Sequence, residues 1–204
     1  MAWQSNVLDV MKKKLLLHVC CAPCAVYVVN KLQADYHVTL FFYNPNIQPE
    51  KEFQFRKREL ERVSRLKNWD TVYPDYEMKD WFEQVKQLDG YAKEPEKGRR
   101  CSICFNIRLK KSFVYAKENG CDVVASTLSI SPYKVTASIN KEGNALSKAY
   151  GIEFLPENFK KQDGYNIGRK MAVKLGIKHQ NYCGCVYSKV EKNLREKKRK
   201  FKTG

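Results

Sequence analysis

Seven of the eight cysteines fall in three short groups that are far apart along the chain. The groups lie in the segments HVCCAPC, RRCSIC and YCGC. In order, their cysteines are Cys20, Cys21, Cys24, Cys101, Cys104, Cys183 and Cys185. Thiolates are soft ligands, and four of them complete a zinc site or an iron–sulfur cluster. If folding joins the groups, the chain has enough sulfur for a metal centre and a separate redox pair.

The spacing of the first two groups favours an iron–sulfur cluster. Cys20 and Cys21 are adjacent, so their sulfurs can point to different metal atoms, which suits a multi-iron cluster better than a single tetrahedral ion. Cys101 and Cys104 are three residues apart and therefore share one face of a helix. At the start of a helix, the dipole and the two preceding arginines favour thiolate. These four cysteines are the predicted cluster ligands.

Cys24 has three interpretations. It could replace Cys21 as a ligand in a C-x-x-C pair, hold an additional metal such as an iron ion beside the cluster, or pack as a buried helix thiol. Cys121 stands alone at the start of an apolar strand, which is typical of a buried core thiol.

Cys183 and Cys185 flank a single glycine. A disulfide between residues so close in sequence closes a small, strained ring, and strained disulfides are the labile, catalytic ones. Gly184 supplies the backbone freedom that such a ring needs. We interpret the pair as redox-active, cycling between dithiol and disulfide; the alternatives are extra metal ligands or inert thiols.

These groups must be positioned by strands and helices that alternate along the chain. The apolar and polar patterns predict strands at residues 14–19, 37–43, 70–73, 122–126 and 152–155. They predict helices from Pro23, at about 50–66, 79–88, 101–118 and 135–150, and from Ser188. This order predicts an α/β fold with an open, mostly parallel sheet covered by helices on both faces. Ligands of such sheets bind beyond the carboxyl ends of the strands, so the active site is expected there.

Several polar residues follow the predicted strands and are candidates for the site. Tyr133 and Lys134, in the loop SISPYK, are predicted to bind or protonate a substrate. Asn44 and Asn46 are predicted to shape the substrate pocket, although Asn also simply makes turns. His18 could hydrogen-bond a cluster sulfur or donate a proton, and the alternative is a satisfied core histidine.

The chain is strongly basic, with 38 Lys and Arg against 22 Asp and Glu and a formal charge of +16. Residues 189–202 hold eight of the basic residues and two acidic ones. Such a balance attracts polyanions, so nucleic acid is the leading partner, the alternative being a lysine-rich surface that serves solubility. Arg56 and Arg108 are candidate substrate-binding residues, and the C-terminal helix is the candidate for phosphate contacts.

Size and hydropathy predict one α/β catalytic domain over residues 1–204, with residues 188–204 as a basic helical tail. No segment approaches the roughly 20 apolar residues that cross a bilayer. The N-terminus lacks the long apolar region of a signal peptide. We therefore expect a cytoplasmic protein, in which clustered cysteines more often bind metal or do redox chemistry than form structural disulfides.

Together these motifs resemble the epoxyqueuosine reductase QueH family. The resemblance rests on HVCCAPC, FFYNPNIQPEKEFQFRKREL, GRRCSICFNIRL, STLSISPYK and YCGC, in that order. It implies a fold of the nucleotide α-hydrolase (HUP-like) type and a [4Fe-4S] enzyme that reduces epoxyqueuosine to queuosine in tRNA. Such a reaction also needs an external electron donor.

Three other functions remain open from the residues alone. The fold and charge would suit an ATP-dependent tRNA-thiolation enzyme, but HVCCAPC lacks the glycine- and serine-rich phosphate loop expected there. The first four cysteines would also suit a zinc-stabilised RNA-binding protein. A thiol-based redox sensor is the third alternative.

Overall fold

A computed structural model of the chain describes residues 12–200. Within them, the strands are β1 (Lys13–His18), β2 (Tyr36–Phe41), β3 (Thr71–Val72), β4 (Val123–Ser126) and β5 (Glu153–Phe154). The helices are α1 (Ala22–Leu32), α2 (Glu50–Lys67), α3 (Met78–Lys86), α4 (Arg99–Glu118), α5 (Thr136–Tyr150), α6 (Gly164–Lys174) and α7 (Val186–Lys200). Residues 1–11 and 201–204 lie outside the described residues. They include most of the segment on which the prediction of no signal peptide rests and the end of the predicted basic tail.

The strands form one parallel sheet in the order β3-β2-β1-β4-β5. Leu15 of β1 lies opposite Val38 of β2 and Val123 of β4. From β1 the chain builds outward to β3 and then returns to place β4 on the other side of β1. The strand order therefore reverses between β1 and β4, where the carboxyl ends of a parallel sheet open a crevice.

Helices cover both faces of the sheet because its strands are apolar on both sides. In β1, Leu15 and Leu17 point to the face packed by α1, α2 and α6, whereas Leu16 points to the face packed by α3, α4 and α5. All three leucines are fully buried. This continuous apolar strand is typical of a parallel sheet between two helical layers. The predicted fold class is confirmed.

Most predicted elements lie within two residues of the observed ones, and the largest difference is α6, which was not predicted. Its two glycines and its exposed Val173 obscure the amphipathic pattern. The same glycines let α6 approach α1 closely, because a Cβ on Gly164 would lie 2.7 Å from the ring of Tyr27. A Cβ on Gly168 would lie 3.2 Å from the Tyr27 Cβ. The contact depends on the close approach of two helix backbones, which a pattern of apolar side chains does not reveal.

The basic C-terminal helix α7 packs against the segment that precedes α4. Glu191 Oε1 accepts a hydrogen bond from the backbone N–H of Glu96 at 2.8 Å. Arg195 Nη1 lies 3.2 Å from Glu96 Oε2. Part of the predicted basic tail is thus engaged by the fold. Among the described residues, none of the helices has the length and apolar character to cross a membrane.

A substitution at Gly143 of α5 tests how closely this helix packs against the sheet. A Cβ at this position would lie 2.3 Å from the ring of Phe154 in β5. We expect Gly143→Ala to lower the free energy of unfolding by about 1–3 kcal/mol, because the packed ring must move. Denaturant unfolding followed by circular dichroism measures this loss.

Gly168→Ala is the matched control, also in the middle of a helix. Its Cβ contact of 3.2 Å is much milder, and alanine gains about 1 kcal/mol of helix propensity over glycine. We expect this variant to remain close to the parent protein. A Gly143→Ala protein as stable as Gly168→Ala would contradict the close packing of α5 on β5.

Candidate metal and redox site

A buried histidine ties three strand ends together beneath the site. His18 Nε2 lies 3.1 Å from the carbonyl oxygen of Tyr43, and Nδ1 lies 3.0 Å from Ser126 Oγ. Because a carbonyl only accepts, Nε2 carries the hydrogen and Nδ1 accepts from the serine hydroxyl. Burial lowers the pKa of His18 to about 3, so the ring is neutral. Both nitrogens are engaged, which agrees with the satisfied core histidine and not with a contact to a cluster sulfur.

The first cysteine group lies at the turn from β1 into α1, and Pro23 occupies the first turn of that helix as predicted. The sulfurs of Cys20 and Cys21 are 3.7 Å apart, and those of Cys21 and Cys24 are 3.0 Å apart. All three sulfurs lie within 4.8 Å of one another. Hydrogen bonds from Cys21 and Cys24 lower the pKa of Cys20. These three thiols form a preorganised set of soft ligands.

An outer cavity of about 50 Å³ opens above these three thiols. Besides them it is lined by Arg56, Ser131, Tyr133, Lys134, Tyr165, His179, Gln180, Tyr182 and Cys183. The predicted loop SISPYK therefore reaches the site. The wall that includes Tyr165 and residues 179–182 comes from α6 and the segment after it, which were not predicted as part of the site. The aromatic and polar run HQNY directly before CGC is the sequence signal that marks it.

The second cysteine group lies on the first turn of α4, as predicted, but faces an inner cavity of about 20 Å³. Cys101 and Cys104 line this cavity together with Cys183 and Cys185. Its other lining residues are Asn46, Trp81, Glu96, Arg100, Phe105 and Ser188. The second and third groups therefore meet in the fold, and Cys101 and Cys104 lie outside the set of three sulfurs at the start of α1.

The expected thiolate-favouring environment of Cys101 and Cys104 is not observed. Burial raises the pKa of Cys101 to about 12 and also raises the pKa of Cys104. Arg99 pairs with Glu94 at 2.8 Å, and the Arg100 guanidinium stacks on an aromatic ring although Arg100 also lines the inner cavity. Burial therefore opposes thiolate formation at both cysteines.

Arg108 supplies the positive charge at the centre of the site. Its Nη1 donates to Asn44 Oδ1 at 3.2 Å, and its Nε donates to the carbonyl of Cys104 at 3.4 Å. Burial opposes its charged form, but the thiols of Cys104 and Cys183 outweigh that effect and raise the pKa of Arg108. Its Nη2 is buried and has no partner. The side chain is 1% exposed, so it faces the thiols and not the surface.

Lys134, which lines the outer cavity, supplies a second positive charge near the thiols. Burial opposes its charge, but the nearby Cys183 and Cys20 thiols outweigh burial and raise the pKa of Lys134. Tyr133 beside it is 46% exposed at the rim of the outer cavity. The loop thus places a charged ammonium near the thiols and an aromatic ring at the entrance.

The segment Cys183-Gly184-Cys185 is held in place by α2 and the loop before it. Arg56 Nη1 donates to the carbonyl of Cys183 at 3.0 Å, and the N–H of Gln48 donates to the carbonyl of Gly184 at 2.9 Å. Arg56 is 3% exposed and pairs with a neighbouring glutamate of α2. Both cysteines of this segment are free thiols in the structure. Arg56 therefore holds the backbone of the third cysteine group in place.

Several buried polar groups around the inner cavity have no hydrogen-bond partner among residues 12–200. Asn46 is fully buried, and neither its Oδ1 nor its Nδ2 makes a hydrogen bond. Trp81 Nε1 also lacks an oxygen or nitrogen partner, and its N–H lowers the pKa of the adjacent Cys104 thiol. Unpaired buried donors cost about 1–3 kcal/mol each unless a ligand satisfies them. They indicate a binding site for a group that accepts hydrogen bonds.

Comparison with known proteins shows to which family the chain belongs. The family model described as Epoxyqueuosine reductase QueH matches residues 15–191. The chain belongs to the QueH family. A protein named Epoxyqueuosine reductase QueH from Acinetobacter baylyi is 40% identical over 177 residues, which are 86% of this chain and 80% of the relative.

Two further QueH relatives match at similar coverage. The protein of the same name from Streptococcus pyogenes is 39% identical over 87% of this chain and 71% of its own length. That from Thermotoga maritima is 34% identical over 87% of this chain and 91% of its own length. All three matches span most of both chains.

The three thiols at the start of α1 could hold a metal, and the group that the family resemblance implies is a [4Fe-4S] cluster. The donor set is thiol, which is the ligand class that such clusters use. Arg108 and Lys134 compensate thiolate charge, and the unpaired donors of Asn46 and Trp81 can satisfy sulfur acceptors, as outer hydrogen bonds do around metal centres.

Gly184 tests how strictly the third cysteine group is positioned. Its φ is +115°, and a Cβ there would lie 3.0 Å from Ile47 Cγ1 and 3.1 Å from Arg56 Nη1. We expect Gly184→Ala to destabilise the fold and to displace the hydrogen bond to Cys183.

Gly176→Ala is the matched control. Its φ is +63° and its Cβ would meet no atom within 4 Å, so it costs only the conformational term of about 1–2 kcal/mol. Denaturant unfolding and the rate of thiol labelling at Cys183 measure both variants. Equal losses of unfolding free energy and unchanged labelling would show that crowding at Gly184 has no role.

Proposed function

We propose that this chain reduces epoxyqueuosine to queuosine at the anticodon wobble position of tRNA. As a member of its family it is an oxidoreductase of the epoxyqueuosine reductase type. The observation that carries the proposal is the convergence of three distant cysteine groups on two adjoining cavities, with Cys183 lining both. A thiolation enzyme would need a phosphate loop at the place where the first three cysteines lie.

Cys20, Cys21, Cys101 and Cys104 are proposed to hold the [4Fe-4S] cluster. When bound, the cluster supplies electrons one at a time at low potential. The closeness of Cys24 to Cys21 supports a ligand role for Cys24, and we propose that it holds an additional iron ion. Arg108 then acts as the fixed counter-charge of the thiolates.

The reaction removes the epoxide oxygen as water and leaves an alkene, which takes two electrons and two protons. The dithiol of Cys183 and Cys185 is proposed to store them and to become a disulfide in each turnover. Burial raises the pKa of Cys185 to about 11, so this thiol retains its proton at neutral pH. An external donor must then reduce the pair again.

Substrate contacts are proposed for the polar groups that line the cavities or remain unpaired. Lys134 is a charged donor beside the thiols and is suited to stabilise the oxygen of the opening epoxide. Tyr133 is suited to stack on the base at the entrance, as aromatic rings do with bases turned out of RNA. Asn46 and the free Nη2 of Arg108, the latter held by Asn44, would face the ring that carries the epoxide.

Arg56 and Arg108 are too deeply buried to dock tRNA phosphates. We propose that Arg56 serves the substrate pocket by holding Cys183 in place. Phosphate contacts are assigned to exposed cations of α7, among them Lys189, Lys197 and Lys198. As an enzyme of tRNA, the protein would act in the cytoplasm.

An anaerobic assay with epoxyqueuosine-containing tRNA and a chemical reductant tests the proposal, with nucleosides analysed by mass. We expect the brown, iron-containing protein to form queuosine, and Cys104→Ser to lose both iron and product because a ligand is missing. Cys121→Ser is the matched control, since Cys121 lies outside both cavities. It should retain iron and activity. Iron-loaded protein that forms no queuosine would overturn the proposed reaction, and colourless zinc-loaded protein would favour the RNA-binding alternative.

The phosphate-binding role of α7 is tested by charge removal that leaves its packing intact. We expect Lys197→Gln with Lys198→Gln to weaken tRNA binding and to reduce the slope of log affinity against log salt by about 0.7–0.9 for each phosphate that is no longer neutralised. Filter binding at several salt concentrations measures both quantities.

Lys117→Gln with Lys148→Gln removes the same charge at the ends of α4 and α5, next to the amino ends of β4 and β5. Both lysines are exposed. This control should leave the slope unchanged. If both double variants reduce the slope equally, the attraction comes from net charge and α7 is not a specific tRNA contact.

A further inference from the structure

We infer that the two thiols of the late pair have fixed and different roles: Cys183 exchanges with an external dithiol, and Cys185 is the resolving thiol. The inference rests on the redox role proposed above for the pair. Cys183 lines the outer cavity and the inner one, whereas Cys185 lines only the inner cavity and is 9% exposed. A reductant that enters from solvent therefore meets the sulfur of Cys183 first.

The backbone prevents the two thiols from exchanging places. The carbonyl of Cys183 accepts from Arg56 Nη1 at 3.0 Å, and that of Gly184 accepts from the N–H of Gln48 at 2.9 Å. The N–H of Val186 donates to Gln48 Oε1 at 3.2 Å. Three hydrogen bonds from buried side chains and backbone thus hold the segment on both sides of Gly184. A rotation that presented Cys185 to the outer cavity would break all of them.

Cys185 is held by hydrogen bonds at the start of α7. It immediately precedes α7, a helix of 15 residues, and its Sγ accepts from the backbone N–H of Ser188 at 3.4 Å. The Cys185 thiol donates to Ser188 Oγ at 3.3 Å, and the Ser188 hydroxyl donates to the carbonyl of Cys185 at 2.9 Å. The backbone N–H at the helix N-terminus favours negative charge on this sulfur and acts against the burial that keeps it protonated. These contacts are made to Cys185 alone among the two thiols.

The exchange balances as two thiol–disulfide steps. A thiolate of the external dithiol attacks Cys183 Sγ in the oxidised pair; the bond between Cys183 and Cys185 breaks, and Cys185 leaves with the electron pair and takes up a proton. The second thiolate of the dithiol then attacks the dithiol's own sulfur in the mixed disulfide and releases Cys183. The dithiol ends as a disulfide, and the pair has gained the two electrons and two protons that one epoxide consumes.

The same cavity must admit the modified base and the reductant. Since Cys183 is reached through the outer cavity, bound tRNA blocks the dithiol, and reduction of the pair follows product release. Steady-state rates measured against both tRNA and dithiol should therefore give the parallel double-reciprocal lines of a ping-pong mechanism.

Trapping the mixed disulfide tests the assignment without relying on turnover. The full-length, iron-loaded protein carries Cys121→Ser to remove background labelling, and is treated anaerobically with dithiobis(nitrobenzoate). In this parent, we expect Cys183 to react and Cys185 to resolve the adduct, giving an intramolecular disulfide, no retained label and two released thionitrobenzoates. Adding Cys185→Ser should leave one stable adduct on Cys183. Adding Cys183→Ser instead should slow labelling by about tenfold or more, because the remaining thiol is buried.

The possible results distinguish the assignment of different roles to Cys183 and Cys185 from the redox role proposed for the pair. Stable adduct on Cys185 in the Cys183→Ser protein, formed as fast as the adduct on Cys183, would overturn the assignment of roles while leaving the redox pair intact. A parent protein that forms no intramolecular disulfide would overturn the redox pair itself. The visible spectrum of each sample shows whether the proposed cluster cysteines still bind iron. Cysteines that bind iron do not react with the label.

Discussion

The electrostatic balance between buried cysteine sulfurs and the buried guanidinium of Arg108 is the constraint on which the site depends. The arginine reaches Asn44 after β2 and the carbonyl of Cys104 in α4, and cysteine sulfurs of all three groups act against burial and raise its pKa. A buried charge needs such partners, because leaving it uncompensated costs about 3–5 kcal/mol. The cation and the sulfur therefore have to be buried together, and the elements that carry them must meet at one point.

The parallel sheet provides that point. Crossover helices return each strand to the same edge, and the reversal of strand order between β1 and β4 opens a crevice there. His18 fixes the geometry beneath it by joining β1 to Ser126 at the end of β4 and to Tyr43 after β2. Cys20 and Cys21 follow directly, so a neutral, fully engaged histidine determines where the first sulfurs stand. The parallel sheet thereby presents thiols at the crevice beyond the carboxyl ends of its strands.

The two cavities divide the chemistry between them. The outer one has an aromatic rim and a lysine; the inner one is smaller and is lined by cysteines and by side chains with unpaired donors. Cys183 is the residue common to both. In the proposed reaction, electrons pass through this side chain, which Arg56 of α2 holds in place. A buried arginine predicted from its helical spacing to bind substrate thus acts on a cysteine more than a hundred residues away.

The alternation of strands and helices, the edge that carries the site, and the residues able to bind metal all follow from the sequence, because hydrophobic period and cysteine spacing are local properties. Helix α6 and the wall formed by Tyr165 and His179 do not, since glycine-mediated contact with α1 has no apolar signature. Nor does the sequence decide that Arg99 pairs with Glu94 while Arg108 is buried beside the thiols. Burial and the pairing of charges across distant elements determine that difference, and both exist only once the chain has folded.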